Sequence, residues 1–144
     1  MNENCSFWGI EPKDVRTVLN RRELGQYNEQ RVMHAVEVLK PWWYAGEWCW
    51  SDETEDVNGI DLWIRHKIMG WVPFQVKSSM KGYHCHEQQG LRHERKGRSR
   101  IPCVISSPDK SLQEIIQQFD TGFRFERMSG HFAKRRKSFQ RLKR

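Results

Sequence analysis

The chain has 144 residues, 37% of them hydrophobic and 30% charged, which allows one domain around one core and is too short for two. No run of about eighteen apolar residues occurs, which excludes a spanning helix. The opening "MNENCSFWGIEPKDV" has no basic region followed by an apolar one, so a cytoplasmic protein without membrane contact is expected.

The formal net charge is +7, and the whole excess lies in residues 131–144, where Lys134, Arg135, Arg136, Lys137, Arg141, Lys143 and Arg144 stand without an acid. Such a tail cannot bury enough apolar surface to fold alone and suits a polyanion such as nucleic acid, a solubilising terminus being the plainer alternative. One domain is therefore expected over 1–130, with its core in about 21–120, followed by a basic, flexible tail over 131–144. The four cysteines form no CxxC pair, so free, partly buried thiols are expected. His84, Cys85 and His86 offer borderline metal ligands, but no second half follows at the spacing of a structural zinc site.

In chain order, "EPKDVRTVL" (11–19) suits a short helix or turn, with Pro12 near its start. Residues 21–40 carry Val32, Ala35, Val36 and Leu39 at the three-and-four spacing of an amphipathic helix, which Pro41 ends. On that helix Glu29 falls inside the apolar arc, between Val36 and Met33. It points toward the body of the protein, or sits at the rim with its head in water. "WWYAGEWCW" (42–50) reads as a strand whose Trp residues fill the core. The turn "SDETEDVNG" (51–59) is acidic, and no Lys or Arg stands between Pro41 and Ile64.

Next, "GIDLWIR" alternates Ile60, Leu62 and Ile64 with Asp61, Trp63 and Arg65, a period-two strand. "HKIMG" turns the chain and "WVPFQVKSS" returns, with Pro73 tolerable at an edge or a bulge. A turn centred near Ile68 sets Asp61 opposite Gln75, with Lys77 on the same face. The segment from Lys81 to about Arg95 is polar and helical, followed by the basic loop "RKGRSR". "IPCVIS" (101–106) is a buried strand. "SPDKSLQEIIQQF" has helix-start chemistry and a stripe of Leu112, Ile115, Ile116 and Phe119. Helix, three strands, helix, strand, helix is an α/β (α+β) layered order.

Asp61, the Gln75 amide oxygen and the Val76 backbone carbonyl are hard oxygen donors suited to Mg²⁺ or Mn²⁺, with Glu29 reaching the ion directly or through water if its helix packs over this face. Lys77 would orient an attacking water or offset charge on phosphate oxygens. The plainer reading is a polar sheet edge with an Asp61–Lys77 ion pair, worth little at a surface.

"GID" (59–61), "QVKSS" (75–79) and an upstream helix with "GQYNE" (25–29) resemble the PD-(D/E)xK nuclease superfamily in its QxK form. Holliday-junction-resolvase-like and very-short-patch-repair-like nucleases look closest. The resemblance implies a restriction-endonuclease-like αβββαβ core, a central mixed sheet flanked by helices. It also implies Glu29, Asp61, Gln75 and Lys77 as catalytic residues, and Mg²⁺ or Mn²⁺ as cofactor. Gln75 departs from the usual carboxylate, removing a negative charge, although active members with Gln at this place exist.

The function expected is metal-dependent endonucleolytic hydrolysis of DNA phosphodiesters. Duplex or branched DNA is the partner, and a homodimer is the assembly found among junction-cutting relatives. Phosphate contacts are assigned to Ser78, Arg92, Arg95, Lys96, Arg98 and Arg100, and to Lys134, Arg135, Arg136, Lys137 and Arg141 of the tail. The alternatives are a nucleic-acid-binding protein that keeps the fold without cleaving, and a protein-interaction partner with an exposed Trp patch.

Overall fold

The computed structural model describes residues 8–54, 59–82, 84, 85, 88 and 101–129, with side chains described to Arg124. A 3-10 turn at Pro12–Asp14 leads into α1 (Val15–Val18) and the long α2 (Arg21–Leu39). The strands are β1 (Tyr44–Trp50), β2 (Leu62–His66), β3 (Gly70–Lys77) and β4 (Cys103–Ile105), and α3 (Leu112–Ser129) follows. A further helical stretch begins at Met80, where Gly82 N–H donates to Ser79 Oγ at 3.2 Å. Most of the helix expected from Lys81 lies outside the described residues.

α2 starts where Asn20 Oδ1 accepts from Glu23 N–H (2.9 Å) and Glu23 Oε1 accepts from Asn20 N–H (3.0 Å). This reciprocal pair satisfies two amides at the helix start. The helix ends with Lys40 in the left-handed region (φ 42°), directly before Pro41. Arg31, 8% exposed, ties it to the turn before α3 by donating to the carbonyls of Ser107, at 3.0 Å, and of Lys110. Burial pulls the guanidinium below its ordinary pKa, and the neighbouring Tyr27 opposes that.

The sheet is four-stranded in the order β1-β2-β3-β4. β1–β2 and β2–β3 are antiparallel, and β3–β4 is parallel. Leu62 pairs with Phe74 and His66 with Gly70, so the hairpin turns around Ile68 and its register, extended by one residue, sets Asp61 against Gln75. His66 holds that turn: its Nδ1 accepts from the Ile68 and Met69 amides at 3.0 and 3.2 Å, and its ring stacks on Trp43. Gly46, at φ 85°, stands in the register slip of β1 between Tyr44 and Trp48, where a bulge needs a residue tolerant of positive φ.

Pro73 sits in the interior of β3 without breaking it. Gln75 N–H donates toward β4, to Pro102 O at 2.9 Å, while Phe74 O accepts from Asp61 N–H at 2.9 Å on the β2 side. Alternation puts the missing N–H of Pro73 on the β4 side, and β4 pairs only with Gln75–Lys77. No ladder bond is lost there.

One face of the sheet carries Leu62, Ile64, Val72, Phe74, Val76 and Val104. These pack with Val32, Met33, Ala35 and Val36 of α2, with Leu112, Ile115, Phe119 and Phe123 of α3, and with Trp43. The other face carries Trp63 and Trp71, grouped with Ile60, Cys49 and Ile101. Both long helices therefore share one face. The expected Trp-filled β1 is corrected: Trp43, just before the strand, is buried, whereas Trp42 is 64% and Trp50 36% exposed. Within β1, Tyr44 and Trp48 are partly buried against the core, and Trp50 at the strand's end is left outside. Among the described residues no helix is long and apolar enough to cross a membrane.

Two helical glycines predict opposite outcomes. A Cβ at Gly122 would lie 2.6 Å from Phe74 Cε1 and 3.1 Å from Pro102 Cβ, whereas one at Gly25 would meet nothing within 4 Å. Gly25→Ala should stabilise by about 0.5–1 kcal/mol through backbone entropy. Gly122→Ala should destabilise, because overpacking of about 1–3 kcal/mol outweighs that same gain. Urea midpoints at unchanged m-value measure both.

Candidate functional site

Backbone pairing between β2 and β3 stops at Leu62 and Phe74. Just beyond, the Asp61 carboxylate takes the place of a strand: its Oδ2 accepts from Val76 N–H at 2.7 Å. The Asp61 backbone bridges the neighbours, its N–H donating to Phe74 O (2.9 Å) and its carbonyl accepting from Ser51 N–H (3.0 Å). Asp61 is thus held by β1 and by β3, half-buried at the open end of the sheet.

The side chain of Gln75 lies over Gly59, whose Cα would carry a Cβ 3.7 Å from Gln75 Oε1. Gly59 is at φ 85°, so a side chain there would be strained by its backbone. Lys77 follows on the same face. Its stem runs beside Gly82, where a Cβ would stand 3.5 Å from Lys77 Cβ and 3.6 Å from Cδ.

Cys103 pairs with Gln75 in the register and senses both charges. Burial pushes its thiol up to about 12, with Lys77 pulling it down and Asp61 pushing it further up. Asp61, Gln75, Lys77 and Cys103 therefore gather on one face, where antiparallel pairing gives way to the parallel β3–β4 pair. The register sets the three sequence-chosen residues on this one face.

Glu29 stands on α2, whose apolar arc packs on the face of Leu62, Ile64, Phe74 and Val76. α2 reaches the end of β3 through the residue before: Asn28 Nδ2 donates to Ser78 Oγ at 2.9 Å. Glu29 is half-buried beside that contact.

Asn28 itself is 1% exposed and went unnoticed in the sequence reading, although a signal existed. At about 100° per residue it falls between Ala35 and Leu39, inside the apolar arc. Ser106 also went unnoticed. It is wholly buried, and its N–H donates to Lys77 O at 2.8 Å.

Ser78 is exposed and engaged by Asn28. The other assigned phosphate contacts, Arg92, Arg95, Lys96, Arg98, Arg100, Lys134, Arg135, Arg136, Lys137 and Arg141, lie outside the described residues, as do His86 and Cys5. Cys49, Cys85 and Cys103 are free thiols. Among the described residues no three His, Cys, Asp or Glu side chains converge on one point that could hold a metal ion. A cation at Asp61 would rest on one carboxylate and neutral oxygens. That all-oxygen, low-charge donor set fits Mg²⁺ or Mn²⁺ and not zinc.

Compared with known proteins, the chain matches no family model, no curated protein and no solved structure.

The surroundings of Cys103 set its reactivity. The thiolate is the nucleophile, so a thiol at about 12 should alkylate at pH 8 roughly three orders of magnitude more slowly than an ordinary one. Its rate should rise about tenfold per pH unit up to pH 10. Pulsed iodoacetamide with peptide mapping should label exposed Cys85 first and Cys103 only after denaturation. Equal labelling of the two in the native protein would contradict this environment.

Proposed function

We propose that the protein is a metal-dependent nuclease of the restriction-endonuclease-like kind, hydrolysing DNA phosphodiesters at the Asp61–Gln75–Lys77 face. The observation that carries the reading is the register: Asp61 stands opposite Gln75, with its carboxylate on the Val76 amide and Lys77 two residues on. The order helix, antiparallel three-strand meander, crossover and parallel fourth strand also suits the αβββαβ core of that kind of enzyme.

Asp61, Gln75 Oε1 and the Val76 carbonyl would hold Mg²⁺ or Mn²⁺. When bound, such an ion supplies charge neutralisation at the scissile phosphate and a more acidic water. The chain's own residues supply the rest. The Val76 N–H fixes the plane of the Asp61 carboxylate, so little orientation is lost when a phosphate arrives. Lys77 contributes a positive charge and three donors for a phosphate oxygen or the incoming water. The basic segments at 92–100 and 134–144 would add sequence-independent grip on DNA phosphates.

Gln75 in place of a carboxylate favours a second reading, a protein that binds nucleic acid on this fold without cutting it. In that reading Asp61 serves only to satisfy the Val76 amide.

The test is cleavage of labelled plasmid, linear duplex, four-way junction and single strand with Mg²⁺, Mn²⁺ or EDTA. Asp61→Asn is the informative variant, because its amide oxygen still accepts from Val76 N–H while the charge is gone. Asp61→Ala would also strand that amide, at about 1–3 kcal/mol. Metal-dependent cutting that falls at least a hundredfold in Asp61→Asn and in Lys77→Ala is expected. Binding with steep salt dependence, alike in all three proteins and without cutting, would transfer the conclusion to the second reading.

A further inference from the structure

Two buried polar atoms find no hydrogen-bond partner among the described residues: Asn28 Oδ1 and Ser106 Oγ. Their residues are 1% and 0% exposed. Both flank the same peptide. Ser106 N–H holds the Lys77 carbonyl at 2.8 Å, and Asn28 Nδ2 holds Ser78 Oγ at 2.9 Å. The chain leaves the sheet between these two anchors, at the carboxyl ends of the parallel strands β3 and β4.

An orphaned amide oxygen on the buried face of a helix is a cost to folding. Ser78 gives no structural reason for that cost, since it is exposed and water would satisfy its hydroxyl. Leu at this place would suit the helix better and would remove the orphan. A residue that lowers stability yet orients a neighbour is the pattern expected beside a working site.

We infer that Asn28 is a positioning residue: through Ser78 it fixes the point at which Lys77 leaves the sheet, and so the direction of the Lys77 ammonium. The inference rests on the proposed nuclease reading for what Lys77 does, but the clasp itself is independent of it. α2 and Lys77 lie on opposite faces of the sheet, so Asn28 acts around the end of β3 and not by touching substrate. Its amide is out of reach of any ligand in solution.

The test compares wild type, Asn28→Leu and Asn28→Ala by three measurements: thermal midpoint, residue-resolved amide exchange, and cleavage of the best substrate of the panel with Mg²⁺. Asn28→Leu is expected to melt no lower than wild type. Exchange at Ser78 and Ser79 should rise at least tenfold, while Val72, in mid-strand, keeps its protection. The turnover number should fall about ten- to a hundredfold with KM within twofold, as for other residues that orient a catalytic group.

A role in stability alone predicts the reverse, a lowered midpoint and uniform exchange with turnover unchanged, and that result overturns the inference. So does unchanged local exchange in both variants. If wild type cuts nothing, the nuclease reading fails by that result, and the exchange pattern alone decides whether Asn28 sets the exit of Lys77.

Discussion

The bond from the Val76 amide to the Asp61 carboxylate, 2.7 Å long, is the interaction on which this end of the molecule depends. A β-sheet must stop somewhere, and each strand end leaves amides that need partners. Here the partner is a side chain, and it is charged. Asp61 is therefore fixed by the same requirement that terminates the sheet. Gln75 and Lys77 fall beside it because they alternate with Val76 in the strand whose amide it accepts.

The rest of the architecture serves that register. His66 and Trp43 hold the far turn, so the hairpin cannot slip by one residue and turn Asp61, Gln75 and Lys77 into the core. α2 and α3 cover the face carrying Phe74 and Val76, and Arg31 locks the two helices together through the carbonyls of Ser107 and Lys110. β4 is short and pairs only with the stretch Gln75–Lys77. It thus anchors the part of β3 that carries the polar residues and leaves Pro73 outside the ladder.

Much of this was legible in the sequence, for reasons that can be named. Strict alternation over Ile60–Arg65 and the turn residues after His66 determine the hairpin and its centre, hence the pairing of Asp61 with Gln75. The apolar stripe of α3 is equally plain, with Phe123 extending it. The side of the sheet on which α2 packs was not legible, because periodicity gives a helix face but not the face of the sheet it meets. Asn28 is a polar residue on an apolar arc and Arg31 lies just outside that arc, so neither is legible until its partners, Ser78 and the Ser107 carbonyl, are known. Trp63 and Trp71 are buried on the second face, which alternation alone does not distinguish from a solvent side. The bulge at Gly46 depends on pairing with β2, which no local pattern in β1 reports.

The account turns on whether a divalent cation is held at Asp61 or elsewhere, and amide spectra with substoichiometric Mn²⁺ answer that without any substrate. Paramagnetic broadening is predicted for the amides of Asp61, Gln75 and Val76, abolished by EDTA and absent in Asp61→Asn. Broadening confined to the acidic turn around Asp52 and Glu53, or no broadening at millimolar Mn²⁺, would contradict it and leave Asp61 as the cap of a sheet.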